Sequence, residues 1–253
     1  MDSSQSARHR GSGASDTDRL QSVSFPPIGD LLHEACESKA DLDRIKATIG
    51  SFNWYAQYQQ CPVPLEGELV KWEWFPFYDE FPSRQRGDRI IQSWDTASTA
   101  GELSDYSVGM TFLVRGNEYF LLDVLREKLN YPDLRRRIIN HALEFGAETV
   151  ITEDKGSGTS LIQDLRADSG GAPGPIAFQP DGDKITRMAA QSAKIEGRQV
   201  LLPRRADWLD ELRAELMQFP YGRYDDQVDS LSQFLYWVSQ KSRFGMIITE
   251  LRI

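Results

Sequence analysis

Apolar positions recur along the first part of this chain at helical spacing. Ile28, Leu31, Leu32 and Ala35, then Leu42, Ile45 and Ile49, fall about 3–4 residues apart. They predict a short helix, a break, and a second helix through FNWYAQYQQ. The next stretch, CPVPLEGELVKWEWFPFYDEFP, is dense in proline and aromatic residues. It has neither helical nor strand periodicity and reads as an irregular arm packed on a neighbouring surface. From Arg89 the pattern becomes strand-like. DRIIQSWDTA predicts a first strand. YSVGMTFLVRG and EYFLLDVLRE predict a hairpin turning at Arg115, Gly116 and Asn117. PDLRRRIINHALEFG follows as an amphipathic helix, opened by Pro132, closed by Gly146, with Leu134, Ile138, Ala142 and Phe145 on one face. His141, placed among charges in mid-helix, is expected on the surface.

The remainder alternates. AETVITED is a strand, GSGTSLIQDLRADS a helix starting after two glycines, GPIAFQP a strand, and DKITRMAAQSAKIEG a helix ended by Gly197. VLLP is a short strand, ADWLDELRAELMQFP a helix, and YDDQVDSLSQFLYWVSQ the last long helix, with Val228, Leu231, Leu235 and Val238 as its docking stripe. The tail KSRFGMIITELRI fits no single pattern. Three consecutive strands followed by alternating helices and strands predict an α/β fold with a mixed sheet and helices on its faces. The expected boundaries are a polar disordered leader at 1–24, the arm at 25–86, the α/β domain at 87–243 and a tail at 244–253.

Chemistry enters through carboxylates at three places. Asp95 closes the first strand among Ile90, Ile91 and Trp94. Glu153, with Asp154 beside it, closes the fourth. Asp225, Asp226 and Asp229 open the last helix. Capping explains one aspartate there, but three within five residues exceed what a cap needs. Adjacent strand residues face opposite ways, so one of Glu153 and Asp154 points to a shared site, and Glu153 is preferred. Sites in open α/β sheets gather beyond the carboxyl ends of strands. Converging carboxylates there make a hard oxygen-donor set suited to Mg²⁺ or Mn²⁺. A pair of such ions cuts phosphodiesters by in-line attack of water. Asp105 is a weaker candidate that returns near Asp95; a turn role is its simpler explanation.

Composition narrows the alternatives. The formal net charge is −9, which opposes binding nucleic acid by bulk attraction and confines contact to a local basic face. Candidate patches are Arg135–Arg137, then Lys184, Arg187, Lys194 and Arg198, then Arg204 and Arg205. Lys155, beside Asp154, and Lys184 and Arg187 of the second patch are the candidate DNA contacts. Cys36 and Cys61 have no metal-site spacing and read as reduced thiols. No apolar run suits a membrane span, and the leader lacks a signal peptide's apolar core. No GxxxxGK[ST] phosphate loop occurs. His9, His33 and His141 have no ligand spacing. The aromatics Trp72, Trp74, Phe75, Phe77 and Tyr78 read as packing residues.

The ordered set SWDTA, DYSVG, YFLLDVLREKLNYPDLRR, ITEDKGSGTSLIQDL, DKITR and FPYGRYDDQVDSLSQ resembles the C-terminal nuclease domain of the large terminase subunit of tailed bacteriophages. WYAQYQQCPVPLEGELVKWEWF looks like the stretch joining that family's ATPase and nuclease domains. The resemblance, over roughly 40–240, implies an RNase H-like fold. It implies an endonuclease that cuts concatemeric DNA during genome packaging with two divalent ions, in the cytoplasm of a bacterial host. Asp95, Glu153 and the Asp225/Asp226 pair match the family's metal ligands, with Asp229 and Asp105 as neighbours. The implied partners are double-stranded DNA, a packaging ATPase, a small terminase subunit and the portal, with no membrane. Because Walker motifs are absent, this chain by itself is expected neither to hydrolyse ATP nor to translocate DNA. Two alternatives stay open: a Holliday-junction resolvase or transposase-like enzyme of the same fold, and a non-catalytic module docking on a packaging ATPase or portal.

Overall fold

The computed structural model describes residues 38–57, 69–96, 106–155, 157–180 and 182–250. The expected leader, the helix around Ile28–Ala35, the PVPLEGE stretch and Asp105 lie outside the described residues.

A seven-stranded mixed sheet has the order β1-β7-β4-β3-β2-β5-β6. Its centre is the predicted meander: β2 (Arg89–Asp95), β3 (Ser107–Arg115) and β4 (Glu118–Glu127). Each is antiparallel to the next. β5 (Thr149–Glu153) joins β2 in parallel, and β6 (Ile176–Phe178) joins β5 in parallel. On the other side β7 (Val200–Pro203) runs parallel to β4. The arm is less irregular than its composition predicts. After a single 3-10 turn at Trp72–Trp74, Phe77–Tyr78 adds an edge strand, β1, parallel to β7. Leu69, Val70 and Phe75 are buried in the main core, and Trp72, Trp74 and Phe77 pack against it.

Helices cover both faces. α2 (Tyr131–Phe145) and α3 (Ser157–Ala167) lie on one face, where Leu134, Ile138, Leu161 and Leu165 pack on Trp94, Leu125 and Val150. α4 (Lys184–Glu196), α5 (Leu209–Gln218) and α6 (Asp226–Glu250) cover the other. There Val228, Leu231, Phe234, Leu235 and Val238 bury the expected stripe against Ile91, Val108, Phe112 and Ile151. Phe234 stacks on Phe112 with centroids 3.7 Å apart. α1 (Lys39–Gln57) packs on α4, and its break falls at Gly50, whose φ of 78° is open to glycine.

Local signals explain the helix ends. Asn130 caps α2 through Asp133 N, Pro132 sits in its first turn, and Gly146 closes it in the left-handed conformation. Asp183 caps α4 through Thr186 N. Two details differ from the sequence expectation. α3 begins at Ser157, so Gly158 lies inside its first turn. The ambiguous tail continues α6 as helical backbone to Glu250.

His141 is a correction. It is buried at 2% exposure, not on the surface. Its Nδ1 faces Gln92 Nε2 at 2.9 Å and its Nε2 faces Asp123 Oδ2 at 2.8 Å. Gln92 is further fixed by Trp94 Nε1, which donates to its Oε1 at 3.2 Å. A polar network with partners on both sides lets an imidazole sit inside, which residue type and neighbouring charges do not reveal. Among the described residues no helix is long and apolar enough to cross a membrane.

Candidate functional site

Strand alternation decides where the carboxylates point. Ile91 of β2 and Ile151 of β5 belong to the core under α6, whereas Trp94 and Val150 belong to the core under α2 and α3. By the two-residue period, Asp95 and Glu153 share the α6 face. β2 and β5 are parallel with Trp94 opposite Thr152, so Asp95 and Glu153 come next in register on adjacent strands, both at carboxyl ends.

α6 is tied to this end of β2 by hydrogen bonds. Ser93 Oγ donates to Ser230 O at 2.8 Å, and Ser230 Oγ donates to Ser93 O at 2.9 Å. Gln233 Nε2 donates to Ser93 Oγ at 2.9 Å. One helical turn before Ser230 and Gln233 stand Asp226 and Asp229, so the same helix face carries them over the strand ends. Ser93, Ser230 and Gln233 are the residues sequence reasoning missed. Their signal was a set of polar side chains at strand and helix positions otherwise reserved for apolar ones.

The electrostatics record this convergence. Burial pushes the Asp95 carboxyl well above the usual carboxylate range. The negative charges of Asp229, Glu153 and Asp226 push it further, against the opposing Lys184. Lys184 on α4 donates to Asp225 Oδ1 and to Asp229 Oδ2, each at 2.7 Å. Its burial acts to lower its pKa, but these two carboxylates outweigh that and hold it above the ordinary lysine value. Arg187 Nη2 donates to Asp229 Oδ1 at 2.8 Å. Two of the three candidate DNA contacts are therefore committed to the acidic helix start. The third, Lys155, is exposed just past β5.

The structure thus brings Glu153, Asp226 and Asp229 within electrostatic reach of Asp95. It holds Asp225, which precedes α6, on Lys184. Asp154 is directed elsewhere: it accepts from Thr159 Oγ1 at 2.7 Å in the first turn of α3. The donors are all carboxylate oxygens, the chemistry that hard divalent cations prefer. Among the described residues, however, no three acidic, histidine or cysteine side chains already converge closely enough to hold an ion.

The other basic patches are mostly paired. Arg135 meets Asp168, Arg136 meets Asp133, Arg137 meets Glu127, and Arg204 meets Asp79.

Residues 92–236 match the family model described as the terminase RNase H-like domain. Among solved structures, the large terminase of a thermophilic bacteriophage is similar with a TM-score of 0.58 at 12% identity. The likeness covers 79% of this chain and 52% of that one, so the chain spans about half the length of that relative. The large terminase nuclease of thermophilic phage G20c, solved with bound magnesium, has a TM-score of 0.54 at 15% identity, covering 68% of this chain and 98% of that one. The same nuclease with bound cobalt gives the same values. No protein of curated function matches. The structural likenesses establish the RNase H-like α/β fold.

Proposed function

This chain belongs to the terminase RNase H-like domain family, and we propose that it is a metal-dependent endonuclease of the large-terminase type. Its substrate is double-stranded DNA, cut from viral concatemers during genome packaging in the cytoplasm of a bacterial host. The observation that carries this proposal is the meeting of Asp95 and Glu153, on adjacent parallel strand ends, with Asp226 and Asp229 on α6.

Asp95, Glu153, Asp225 and Asp226 would hold two Mg²⁺ or Mn²⁺ ions, with Asp229 beside them. Such ions, when bound, activate the attacking water and stabilise the leaving oxygen. The rest is the work of this chain's own groups. The Ser93–Ser230 exchange and Gln233 hold α6 in register with β2, which fixes Asp226 and Asp229 relative to Asp95. Lys184 and Arg187 hold Asp229 and offset part of the repulsion among the carboxylates. The raised Asp95 pKa marks a group whose charge is costly without a cation beside it.

The test is supercoiled plasmid with Mg²⁺ or Mn²⁺, beside Asp95→Asn and an EDTA control. Nicking and linearisation that vanish in both controls support the nuclease; cutting that persists in Asp95→Asn rejects this site. Branched substrates separate the resolvase alternative, which requires a strong preference for junctions.

One observation favours the second alternative. Lys184 already occupies the space between Asp225 and Asp229 as a cation, as expected of a structural rather than catalytic cluster. A non-catalytic module of that kind would dock on a packaging ATPase or portal. Capture of one of these by a folded protein that never nicks DNA would establish it.

A further inference from the structure

Beside the carboxylates, five side chains alternate as cation and ring: Lys128, Tyr106, Arg126, Tyr224 and Arg223. Lys128 Nζ lies 5.1 Å from the Tyr106 centroid, and the Arg126 guanidinium lies 3.5 Å from the same ring. Arg126 is 4.8 Å from the Tyr224 centroid, and Arg223 is 5.1 Å from it. The two tyrosine rings meet edge to face at 5.4 Å. Cations over aromatic faces are held by the ring quadrupole at these distances.

The sheet register fixes where this stack lies. Arg126 is opposite Val108, and Val108 is opposite Asp95. Directly opposed residues share a face, and Val108 faces the α6 side. Arg126 therefore stands two strands from Asp95 on the same face, about 10 Å away at the usual strand spacing. Tyr106 immediately precedes β3 at this same edge, and Tyr224 immediately precedes Asp225. Arg126 is the strut of the stack: it pairs with Glu211 at 3.6 Å and Glu215 at 3.8 Å, and its side chain is 12% exposed. Lys128 and Arg223 are the exposed ends.

Resting on the endonuclease assignment above, we propose that this stack is a seat for the phosphate backbone of duplex DNA, flanking the carboxylates. The need for one follows from charge. The chain carries −9 overall, and the cluster at Asp95 repels phosphate. Lys184 and Arg187 are bound to Asp225 and Asp229. A separation of about 10 Å corresponds to roughly three base pairs along the duplex axis at about 3.4 Å each. A strand crossing the sheet edge then meets Lys128 and Arg223 while its reacting phosphate lies at Asp95. The stacked tyrosines hold those cations in place, which lowers the ordering cost of the contact.

The experiment measures binding of a labelled duplex of about 30 base pairs by fluorescence anisotropy across a salt series, with Ca²⁺ present and the full chain. Lys128→Gln with Arg223→Gln is compared with wild type, with the charge-keeping pair Lys128→Arg and Arg223→Lys, and with Arg89→Gln. Arg89 opens β2 and so lies at the opposite sheet edge. The neutral pair is expected to weaken binding roughly tenfold or more near about 0.1 M salt and to reduce the salt slope by about two. The charge-keeping pair and Arg89→Gln keep the wild-type slope. If wild type binds and cuts but the neutral pair retains its affinity and slope, the seat is overturned while the endonuclease stands. If wild type neither binds nor cuts duplex DNA, the endonuclease assignment falls and takes the seat with it.

Discussion

Glu215 on α5 accepts two hydrogen bonds from Gln227, one from its backbone nitrogen at 2.6 Å and one from its side-chain amide at 2.7 Å. A helix start leaves its first N–H groups unpaired, and a carboxylate beside them satisfies both the hydrogen bond and the helix dipole. Here the carboxylate comes from another helix, so it also fixes the position of α6. Asp226 is the residue before Gln227. We expect Glu215→Ala to cost about 2 kcal/mol in urea unfolding, since it removes a cap and strands a buried N–H. Glu215→Gln, which keeps an acceptor, should cost less. An unchanged denaturation midpoint for Glu215→Ala would reject the capping role.

A second prediction concerns Gly158. A Cβ on this residue would collide with the Glu153 carbonyl oxygen. Two backbone segments therefore pass each other where β5 ends and α3 begins, and neither has a flexible side chain that can yield. Gly158→Ala should cost about 1–3 kcal/mol through overpacking. Because the segment that moves carries Glu153, plasmid cutting should fall by more than the lost stability explains. Wild-type melting and wild-type cutting together would show that the close approach is dispensable.

Acid stability tests a pair at the other end of the sheet. Asp88 is buried and accepts from Arg115 Nη2 at 2.6 Å and from Gln85 N at 2.8 Å. The Arg115 hydrogen bonds, then that of Gln85, hold its carboxyl below the usual value of 3.8. A lowered folded pKa means that the unfolded chain binds the proton more readily. The stabilisation is fully present above 3.8 and is lost as pH falls through the folded value. Asp88→Asn should therefore melt earlier than wild type at neutral pH, with the gap closing in strong acid. A gap that stays constant from about pH 7 to about pH 2 would exclude this linkage.

Much of this was legible in the sequence because the relevant patterns are local. The apolar run in RIIQSWD carried the strand and put Asp95 at its end, but not its face, because Ile90 and Ile91 are adjacent and both buried. The spacing of Val228, Leu231, Leu235 and Val238 carried the buried side of α6. The burial of His141 was not legible, because its partners Gln92 and Asp123 lie 49 and 18 residues away. The same holds for Lys184. The sequence marks it as a candidate DNA contact; its position between Asp225 and Asp229 depends on how α4 packs against α6. Phe77–Tyr78 also hid its strand, since a two-residue edge has no periodicity and is defined by the β7 backbone beside it.

The Lys184 bridge makes a prediction about metal. Lys184 joins Asp225 and Asp229 at 2.7 Å each, so in this state an ammonium supplies the positive charge that a divalent ion would otherwise bring. Lys184→Met removes that charge. Without metal the variant should be less stable than wild type by about 1 kcal/mol, a modest figure because the lysine is partly exposed and water screens its contacts. Added Mn²⁺ stabilises whichever folded form binds it, by an amount that grows with the ratio of its concentration to the dissociation constant. In wild type that binding competes with the ammonium for Asp225 and Asp229. In the variant it does not, so the rise in Tm with Mn²⁺ should be larger in Lys184→Met than in wild type, and absent in Asp95→Asn. Thermal melts across a Mn²⁺ titration measure all three. Equal shifts in wild type and Lys184→Met would mean that the ammonium and the metal do not share these carboxylates. A full shift in Asp95→Asn would move the ion away from the strand end altogether.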